Sequence, residues 1–205
     1  TYTAQAMIMT DRDNNQITAF HPGAMMQAHG MKVQARPDIK LGMISPDGRE
    51  AMLQHAAQFK AAGIPFVFDP GQGLPMFDGK ELAGFVDQAA WVTVNDYEGK
   101  MLCERTGWSC AEISKRVRGL VVTLGGDGCE VWVNGEKAVV PPQKPAAIVD
   151  PTGCGDAWRG ALLYGLEQGW SLAKCAELGN KVGAIKIASR GPQNYVLDAG
   201  LSSRP

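Results

Sequence analysis

The sequence lacks the features that mark several classes of protein. Its five cysteines are odd in number and include no Cys-x-x-Cys pair, which argues against both a disulfide framework and a zinc site. No stretch is as long and apolar as a membrane span, and the start does not resemble a basic-then-apolar signal peptide. We therefore expect a protein of the reducing cytoplasm without a membrane partner.

An excess of charge of one sign is also missing. The chain has 20 Lys and Arg residues against 21 Asp and Glu residues, and its formal net charge is −1. Because no basic excess is available, we expect no nucleic-acid partner. The 205 residues are 45% hydrophobic, which is enough for the core of one or two domains. The 25 glycines and 12 prolines predict many tight turns and backbone that approaches a ligand closely.

The first 25 residues predict a β-hairpin. Apolar and polar residues alternate from Tyr2 to Met9, the polar run Asp11–Asn15 predicts a turn, and Ile17–Phe20 predicts a second strand. The chain opens with Thr1 inside the first of these strands, which predicts that sequence upstream is missing.

From residue 40, predicted strands alternate with predicted helices. Ser45-Pro46 predicts the start of the first helix, and Asn134-Gly135 predicts the turn of a hairpin over residues 130–140. The other predicted strands cover 41–44, 64–68, 91–94 and 120–124, with a last one ending at Ile148-Val149; the helices lie near 52–62, 81–88, 97–104, 110–117, 156–167 and 172–188. Repeated β-α units predict an α/β domain over residues 26–205, with a mostly parallel sheet and helices on both faces. Ligands of such folds bind beyond the carboxyl ends of the strands.

The common nucleotide-binding motifs are absent. A Walker loop needs Ser or Thr after Gly-Lys, but Glu81 and Met101 stand at those positions. Gly71-Gln72-Gly73 lacks the third glycine of a dinucleotide fingerprint and predicts a plain loop. No protein-kinase signature is present.

Two segments resemble the nucleophile elbow of a serine hydrolase with its last glycine replaced. They are Gly107–Ala111 (GWSCA) and Gly169–Ala173 (GWSLA). Helix capping explains them better, because each glycine can end one helix while the following serine begins the next. Ser109 and Glu112 have the spacing of a capping box.

The segment from Ile148 to Ala157 places two glycines and a carboxylate where a strand meets a helix. The first N–H groups of a helix have no internal partner and attract anions, and Gly153 and Gly155 would let an anion approach them. Asp156 could accept a proton from a hydroxyl held beside that anion. These are the parts of a phosphoryl-transfer site. The alternative is a glycine-rich turn in which Asp156 only complements the helix dipole, and this segment alone favours neither.

Four segments together resemble the PfkB, or ribokinase-like, carbohydrate and nucleoside kinases. They are, in chain order, Asn95–Glu98 (NDYE), Val122–Gly128 (VTLGGDG), Asp150–Asp156 (DPTGCGD) and Gly179–Gly191 (GNKVGAIKIASRG). The segment DPTGCGDA, with Ser189–Tyr195 (SRGPQNY), looks most like bacterial members described as adenosine kinases.

The resemblance implies the roles of several residues in phosphoryl transfer. Asp156 matches the family's catalytic base, which deprotonates the acceptor hydroxyl. The backbone anion hole of the family is matched by Gly153, Cys154 and Gly155. Asn95 and Glu98 match an element that organises Mg²⁺ and phosphates largely through water, although Asn95 also suits a helix N-cap and both roles can coexist. Cys154 at a helix N-terminus could be a reactive thiolate, but we favour a small residue that points inward.

The resemblance also implies a nucleotide pocket and a cation site. Thr123, Gly125 and Gly128 match the turn beside the phosphates and ribose of ATP, and Asn180 falls where the family lines its adenine pocket. Asp150, Thr152 and Gly191 match positions around a monovalent-cation site that holds potassium in many relatives. The opening hairpin over residues 1–25 resembles the family's lid.

The sequence also departs from the family pattern. The N-terminal third, with the Gly-Gly and Asp elements that hold sugar hydroxyls, is absent. The resemblance implies an ATP- and Mg²⁺-dependent kinase that phosphorylates a primary hydroxyl, first of all the 5′-hydroxyl of adenosine. A sugar kinase for ribose or a related sugar remains an alternative, as does an inactive nucleotide-binding or assembly subunit. A nucleoside or sugar is the expected small-molecule partner, and a homodimer stays open.

Overall fold

The computed structural model describes residues 1–12, 16–198 and 200. Its contacts divide the chain into two compact units. The first unit comprises residues 1–123 and 132–137, and the second comprises residues 124–131 and 138–205. The separation of a lid over residues 1–25 from a domain over residues 26–205 stays a prediction.

The first unit begins with a two-stranded antiparallel sheet. Strands β1 (Gln5–Thr10) and β2 (Gln16–His21) pair from Gln5 opposite His21 to Thr10 opposite Gln16. The hairpin predicted for this part of the chain is therefore confirmed, while Asp13, Asn14 and Asn15 of its turn lie outside the described residues. A 3-10 helix, Gly23–Gly30, follows it.

The first unit also contains four parallel strands and four α-helices. The strands are β3 (Gly42–Ile44), β4 (Phe66–Phe68), β5 (Trp91–Asn95) and β6 (Gly119–Thr123), each paired in parallel with the next. The helices are α1 (Arg49–Ala61), α2 (Gly79–Gln88), α3 (Asp96–Thr106) and α4 (Cys110–Arg116). Helix α1 connects β3 to β4, α2 connects β4 to β5, and α3 and α4 together connect β5 to β6. These crossovers let successive strands run in the same direction, which is the β-α alternation predicted above.

Phenylalanines form much of the core of the first unit. Phe85 of α2 stacks on Phe68 of β4 with ring centroids 4.6 Å apart, and it meets the Phe77 ring edge-on at 4.9 Å. All three rings are at most 1% exposed. The helix and the sheet are therefore held together by aromatic burial, which contributes more than any surface pair in this unit.

The second unit is mainly a pair of helices. It contains α5 (Cys154–Glu167) and α6 (Leu172–Ile187), whose facing sides bury Ala157, Ala161, Leu178 and Val182. Strands β7 (Cys129–Val133) and β8 (Glu136–Val140) form the predicted hairpin, whose tip, residues 132–137, belongs to the first unit. A mostly parallel sheet with helices, together with a small antiparallel sheet, confirms the predicted α/β fold class.

Three local predictions are wrong. The segment that ends at Ile148-Val149 is not a strand; the amides of Val149 and Asp150 instead donate to the carbonyl oxygen of Ile187, at 2.9 and 3.1 Å. Helix α1 begins three residues after Ser45-Pro46, with Gly48 as its N-cap. The segment Gly71-Gln72-Gly73 begins a 3-10 helix, Gly71–Met76, and is not a plain loop. In the first case a tertiary contact, the pair of hydrogen bonds to Ile187, overrides the local pattern.

Within the described part of the chain, no helix is long and apolar enough to cross a membrane.

We predict that Phe85→Ala lowers the free energy of unfolding by about 3–5 kcal/mol, because it removes a fully buried ring and leaves a cavity between α2 and β4. Urea unfolding followed by circular dichroism measures the loss. The control Tyr97→Ala, at a side chain that is 68% exposed, should change the unfolding free energy by less than about 0.5 kcal/mol. Equal effects of the two substitutions would contradict this account of the core.

Candidate active site

Helix α5 begins at a glycine that no other residue could replace without strain. Gly153 is the N-cap and has a φ of +79°, in the left-handed region. A β-carbon at this position would lie 2.9 Å from the β-carbon and 3.0 Å from the α-carbon of Pro192. Both the backbone conformation and the close approach of Pro192 therefore require glycine.

The start of α5 also lacks a side-chain cap. Helices α2, α3, α4 and α6 begin at Asp78, Asn95, Ser109 and Ser171, whose side chains each accept a hydrogen bond from the third residue of the helix. Gly153 has no side chain to do this. The amides of Gly155 and Asp156, at the second and third helical positions, consequently keep the capacity to bind an anion.

Asp156 lies in this first turn of α5 and is exposed. Its side chain lines a groove of about 580 Å³ along α5 and α6, together with Gly160, Tyr164 and Tyr195 among other residues. A carboxylate in a concave surface, beside uncapped helix amides, is positioned to meet an anion and a hydroxyl at the same time.

The turn before α5 is fixed by Asp150. One carboxylate oxygen of Asp150 accepts from the Thr152 amide at 2.9 Å and the other accepts from the Gly191 amide at 2.8 Å. These backbone hydrogen bonds, first that of Thr152 and then that of Gly191, lower the pKa of Asp150 to about 2. The structure therefore brings together Asp150, Thr152 and Gly191, the three residues assigned from the resemblance to a cation site.

Cys154 is half-buried within the same turn. Its sulfur lies 3.9 Å from the carbonyl oxygen of Asp150, and burial is the main cause that raises the pKa of its thiol. The nearby charge of Lys186 opposes that shift without cancelling it. These properties suit the small, inward-pointing residue favoured above and not a reactive thiolate.

Asn95 and Glu98 form a capping box at the start of α3. The Asn95 side chain accepts from the Glu98 amide at 2.7 Å, and the Glu98 carboxylate accepts from the Asn95 amide at 2.8 Å. Thr123 ends β6 directly opposite Asn95 at the end of β5. The first unit thus places these three predicted site residues together near the carboxyl ends of two parallel strands. The predicted N-cap role of Asn95 is confirmed.

A tight turn follows Thr123. The Leu124 amide donates to the carbonyl oxygen of Gly128 at 2.8 Å, and Gly125–Asp127 is a single 3-10 turn. Gly128 has a φ of +89°, and a β-carbon there would lie 2.3 Å from the carbonyl oxygen of Val140. Gly128 is therefore required by the backbone itself, and its role beside ATP stays a prediction.

Asn180 uses its side chain within the protein. Its amide oxygen accepts from the indole N–H of Trp158 at 3.0 Å, and its amide nitrogen donates to the carbonyl oxygens of Pro141 at 2.8 Å and Val140 at 3.4 Å. Asn180 thus ties α6 to α5 and to the end of β8. Its place in an adenine pocket stays a prediction, and any such role would come from positioning these elements.

Sequence reasoning missed Lys186, which is fully buried near the end of α6. Its ammonium group donates to the carbonyl oxygen of Asp150 at 2.7 Å and to that of Ser189 at 3.3 Å. A usable signal was present, because Lys186 follows Leu178 and Val182 at intervals of four residues and so continues the buried face of the helix. Across the described residues, no group of three or more His, Cys, Asp or Glu side chains could hold a metal ion directly.

We predict that the stabilising effect of Asp150 depends on pH. Its folded-state pKa of about 2 lies below the ordinary value of about 3.9, so its contribution is present above that ordinary value and is lost as the pH falls toward 2. The difference in unfolding free energy between wild type and Asp150→Asn, measured with urea, should be largest near neutral pH. It should shrink between about pH 4 and pH 2. A difference that does not vary with pH would show that the carboxylate charge is unimportant.

The comparisons with known proteins agree with one another. The model of the pfkB family carbohydrate kinases matches residues 1–199. The nucleoside kinase of Burkholderia thailandensis, solved in complex with inosine, is 50% identical with a TM-score of 0.90, and the match covers 95% of this chain and 64% of that one. The nucleoside kinase of Methanocaldococcus jannaschii is 29% identical over 192 residues, 93% of this chain and 63% of that protein.

The chain therefore spans a little under two thirds of the length of these two relatives. The crystal structure of the M. jannaschii enzyme, described as an archaeal member of the ribokinase family, matches with a TM-score of 0.87 at 27% identity. A family model that covers nearly the whole chain, and a fold shared with these kinases, leave one conclusion: the chain belongs to the pfkB family of carbohydrate kinases.

Proposed function

We propose that the protein is an ATP-dependent kinase that transfers the γ-phosphoryl group to a hydroxyl of a nucleoside. The observation that carries the proposal is the start of α5. Helix amides left without a side-chain cap lie there in the same turn as an exposed carboxylate, Asp156. Helices α2, α3, α4 and α6 begin with a side-chain cap, whereas α1 and α5 begin at a glycine without one. Of these two starts, that of α5 has the left-handed glycine, and its carboxylate Asp156 lines the groove along α5 and α6.

The chemistry assigned to these groups is that of phosphoryl transfer. The Gly155 and Asp156 amides, with the positive end of the helix dipole, would stabilise the negative charge of the migrating phosphoryl group. The Asp156 carboxylate would accept the proton of the attacking hydroxyl. Gly153 contributes to anion binding and to proton transfer. Its lack of a side chain exposes the Gly155 and Asp156 amides, and its left-handed φ sets the direction in which α5, and with it Asp156, begins.

Asn95 and Glu98 suit a magnesium ion that keeps most of its water. Mg²⁺ usually binds through one or two carboxylates, several waters and the phosphates of the substrate. Of these two residues, Glu98 supplies a carboxylate, which is buried. The capping-box hydrogen bonds between Asn95 and Glu98 fix its orientation. Asn95 and Glu98 would therefore hold Mg²⁺ through water, and the ion would neutralise charge on the phosphates.

A purine nucleoside is the acceptor that the comparisons support best. The B. thailandensis kinase, 50% identical to this chain, was solved with inosine and also with ADP-inosine. We propose a purine ribonucleoside phosphorylated at its 5′-hydroxyl, with adenosine and inosine as the two candidates. A ribokinase of Lactococcus lactis is 32% identical over 114 residues, so ribose is the comparison substrate of the assay. A cytoplasmic location and a place in purine salvage belong to the same proposal.

We predict that Asp156→Asn reduces kcat by about 10²–10⁴-fold while the Kd for ATP changes little, because the substitution removes the base but keeps the amides of α5. The measurement is ADP release with adenosine, inosine, ribose or no acceptor, together with calorimetric titration of ATP. It uses the longest form of the protein that its gene encodes.

The matched control is Asp87→Asn, an exposed aspartate of α2 that pairs with Arg116 and lies outside the proposed machinery. It should leave kcat unchanged. Near-normal kcat in Asp156→Asn would show that Asp156 is not the base. ADP release that is independent of every acceptor, in an otherwise active protein, would overturn the kinase assignment.

A further inference from the structure

The loop that the resemblance assigns to a monovalent cation already contains a positive charge of the protein. Lys186 has no exposed surface, and its ammonium group lies 2.7 Å from the carbonyl oxygen of Asp150 and 3.3 Å from that of Ser189. A buried charge is costly unless polar groups surround it. The two carbonyl oxygens and the nearby Asp150 carboxylate, whose pKa the Lys186 charge helps to lower, supply that environment.

These contacts are of the kind that a bound potassium ion makes. K⁺ binds in proteins where carbonyl oxygens replace its hydration shell. The lysine ammonium carries the same single charge, has three N–H donors and accepts no hydrogen bond, so it competes for the same carbonyl oxygens. The residues present therefore do not fit an additional cation at the Asp150 carbonyl, since a second positive charge would have to lie beside the first.

We propose that the Lys186 ammonium group takes the place of the monovalent cation in this protein, which consequently needs no potassium at this loop. Lys186 acts as a positioning residue: it holds the Asp150 carbonyl, while the Asp150 carboxylate holds the amides of Thr152 and Gly191. The proposal rests on the proposed function in one respect: the loop around Asp150 directly precedes the start of α5, where the phosphoryl group is proposed to bind. The cation measurement itself involves no phosphoryl transfer.

The experiment compares thermal unfolding in KCl and in choline chloride at equal ionic strength, for wild type, Lys186→Ala and Lys186→Met. The wild-type Tm should be the same in both salts. Lys186→Ala should unfold at a lower temperature in choline chloride and recover part of the loss in KCl, because its cavity leaves the carbonyl oxygens open to the ion. Lys186→Met, which fills the space without charge, should lose stability and recover less in KCl.

Thallium, a heavy substitute for potassium, gives a second measurement. In crystals soaked in thallium acetate, anomalous scattering should show no Tl⁺ beside the Asp150 carbonyl in wild type and a Tl⁺ ion there in Lys186→Ala. The control Lys181→Ala, at an exposed lysine of the same helix, should behave as wild type in both measurements.

Several outcomes would overturn the proposal. A wild-type Tm that rises in KCl relative to choline chloride, or Tl⁺ bound beside Asp150 in wild type, would show that a cation site coexists with Lys186. A folded Lys186→Ala that neither gains stability in KCl nor binds Tl⁺ would show that the ammonium group does not replace an ion. If the alanine variant does not fold, the two wild-type measurements still decide the question.

Discussion

The hydrogen bonds of Asp150 hold the turn before α5 in place, and the proposed phosphoryl binding at the start of α5 depends on that turn. The carboxylate binds the amides of Thr152 and Gly191, the carbonyl binds the ammonium of Lys186, and the amide donates to Ile187. One residue thus joins the turn before α5 to the segment that follows α6. Because charge-assisted hydrogen bonds are stronger than neutral ones, this connection fixes the direction in which α5 begins.

The helices of the chain begin in two different ways: four begin with a side-chain cap, and α1 and α5 begin at a glycine without one. Asp78, Asn95, Ser109 and Ser171 use their side chains to satisfy amides that would otherwise lack a partner. At α5 the cap is a glycine, and tertiary contacts around Asp150 and Pro192 set the start of the helix instead of a side chain. This arrangement costs the helix a stabilising cap but leaves amides near Asp156 for an anion.

Much of the fold and part of the site were predictable from the sequence because they depend on local patterns. The capping box of Ser109 and Glu112 is present, and so is the hairpin that Asn134-Gly135 closes. Contacts between residues distant in the sequence could not be predicted. The Ile187 carbonyl oxygen accepts from the amides of Val149 and Asp150, where a last strand was predicted to end. The Lys186 ammonium group donates to the carbonyl oxygen of Asp150, 36 positions earlier. The hydrogen bonds of the Asn180 side chain to Trp158, Pro141 and Val140 could not be predicted for the same reason, because their partners lie far from Asn180 in the sequence.

The central claim is that the uncapped start of α5 binds the phosphoryl group next to Asp156. The most direct test is a crystal structure of the full-length protein with a non-hydrolysable ATP analogue, Mg²⁺ and inosine. The account predicts γ-phosphate oxygens within hydrogen-bond distance of the Gly155 and Asp156 amides, and the Asp156 carboxylate within about 3 Å of the 5′-hydroxyl. A γ-phosphate bound elsewhere, with the α5 amides in contact only with water, would contradict it.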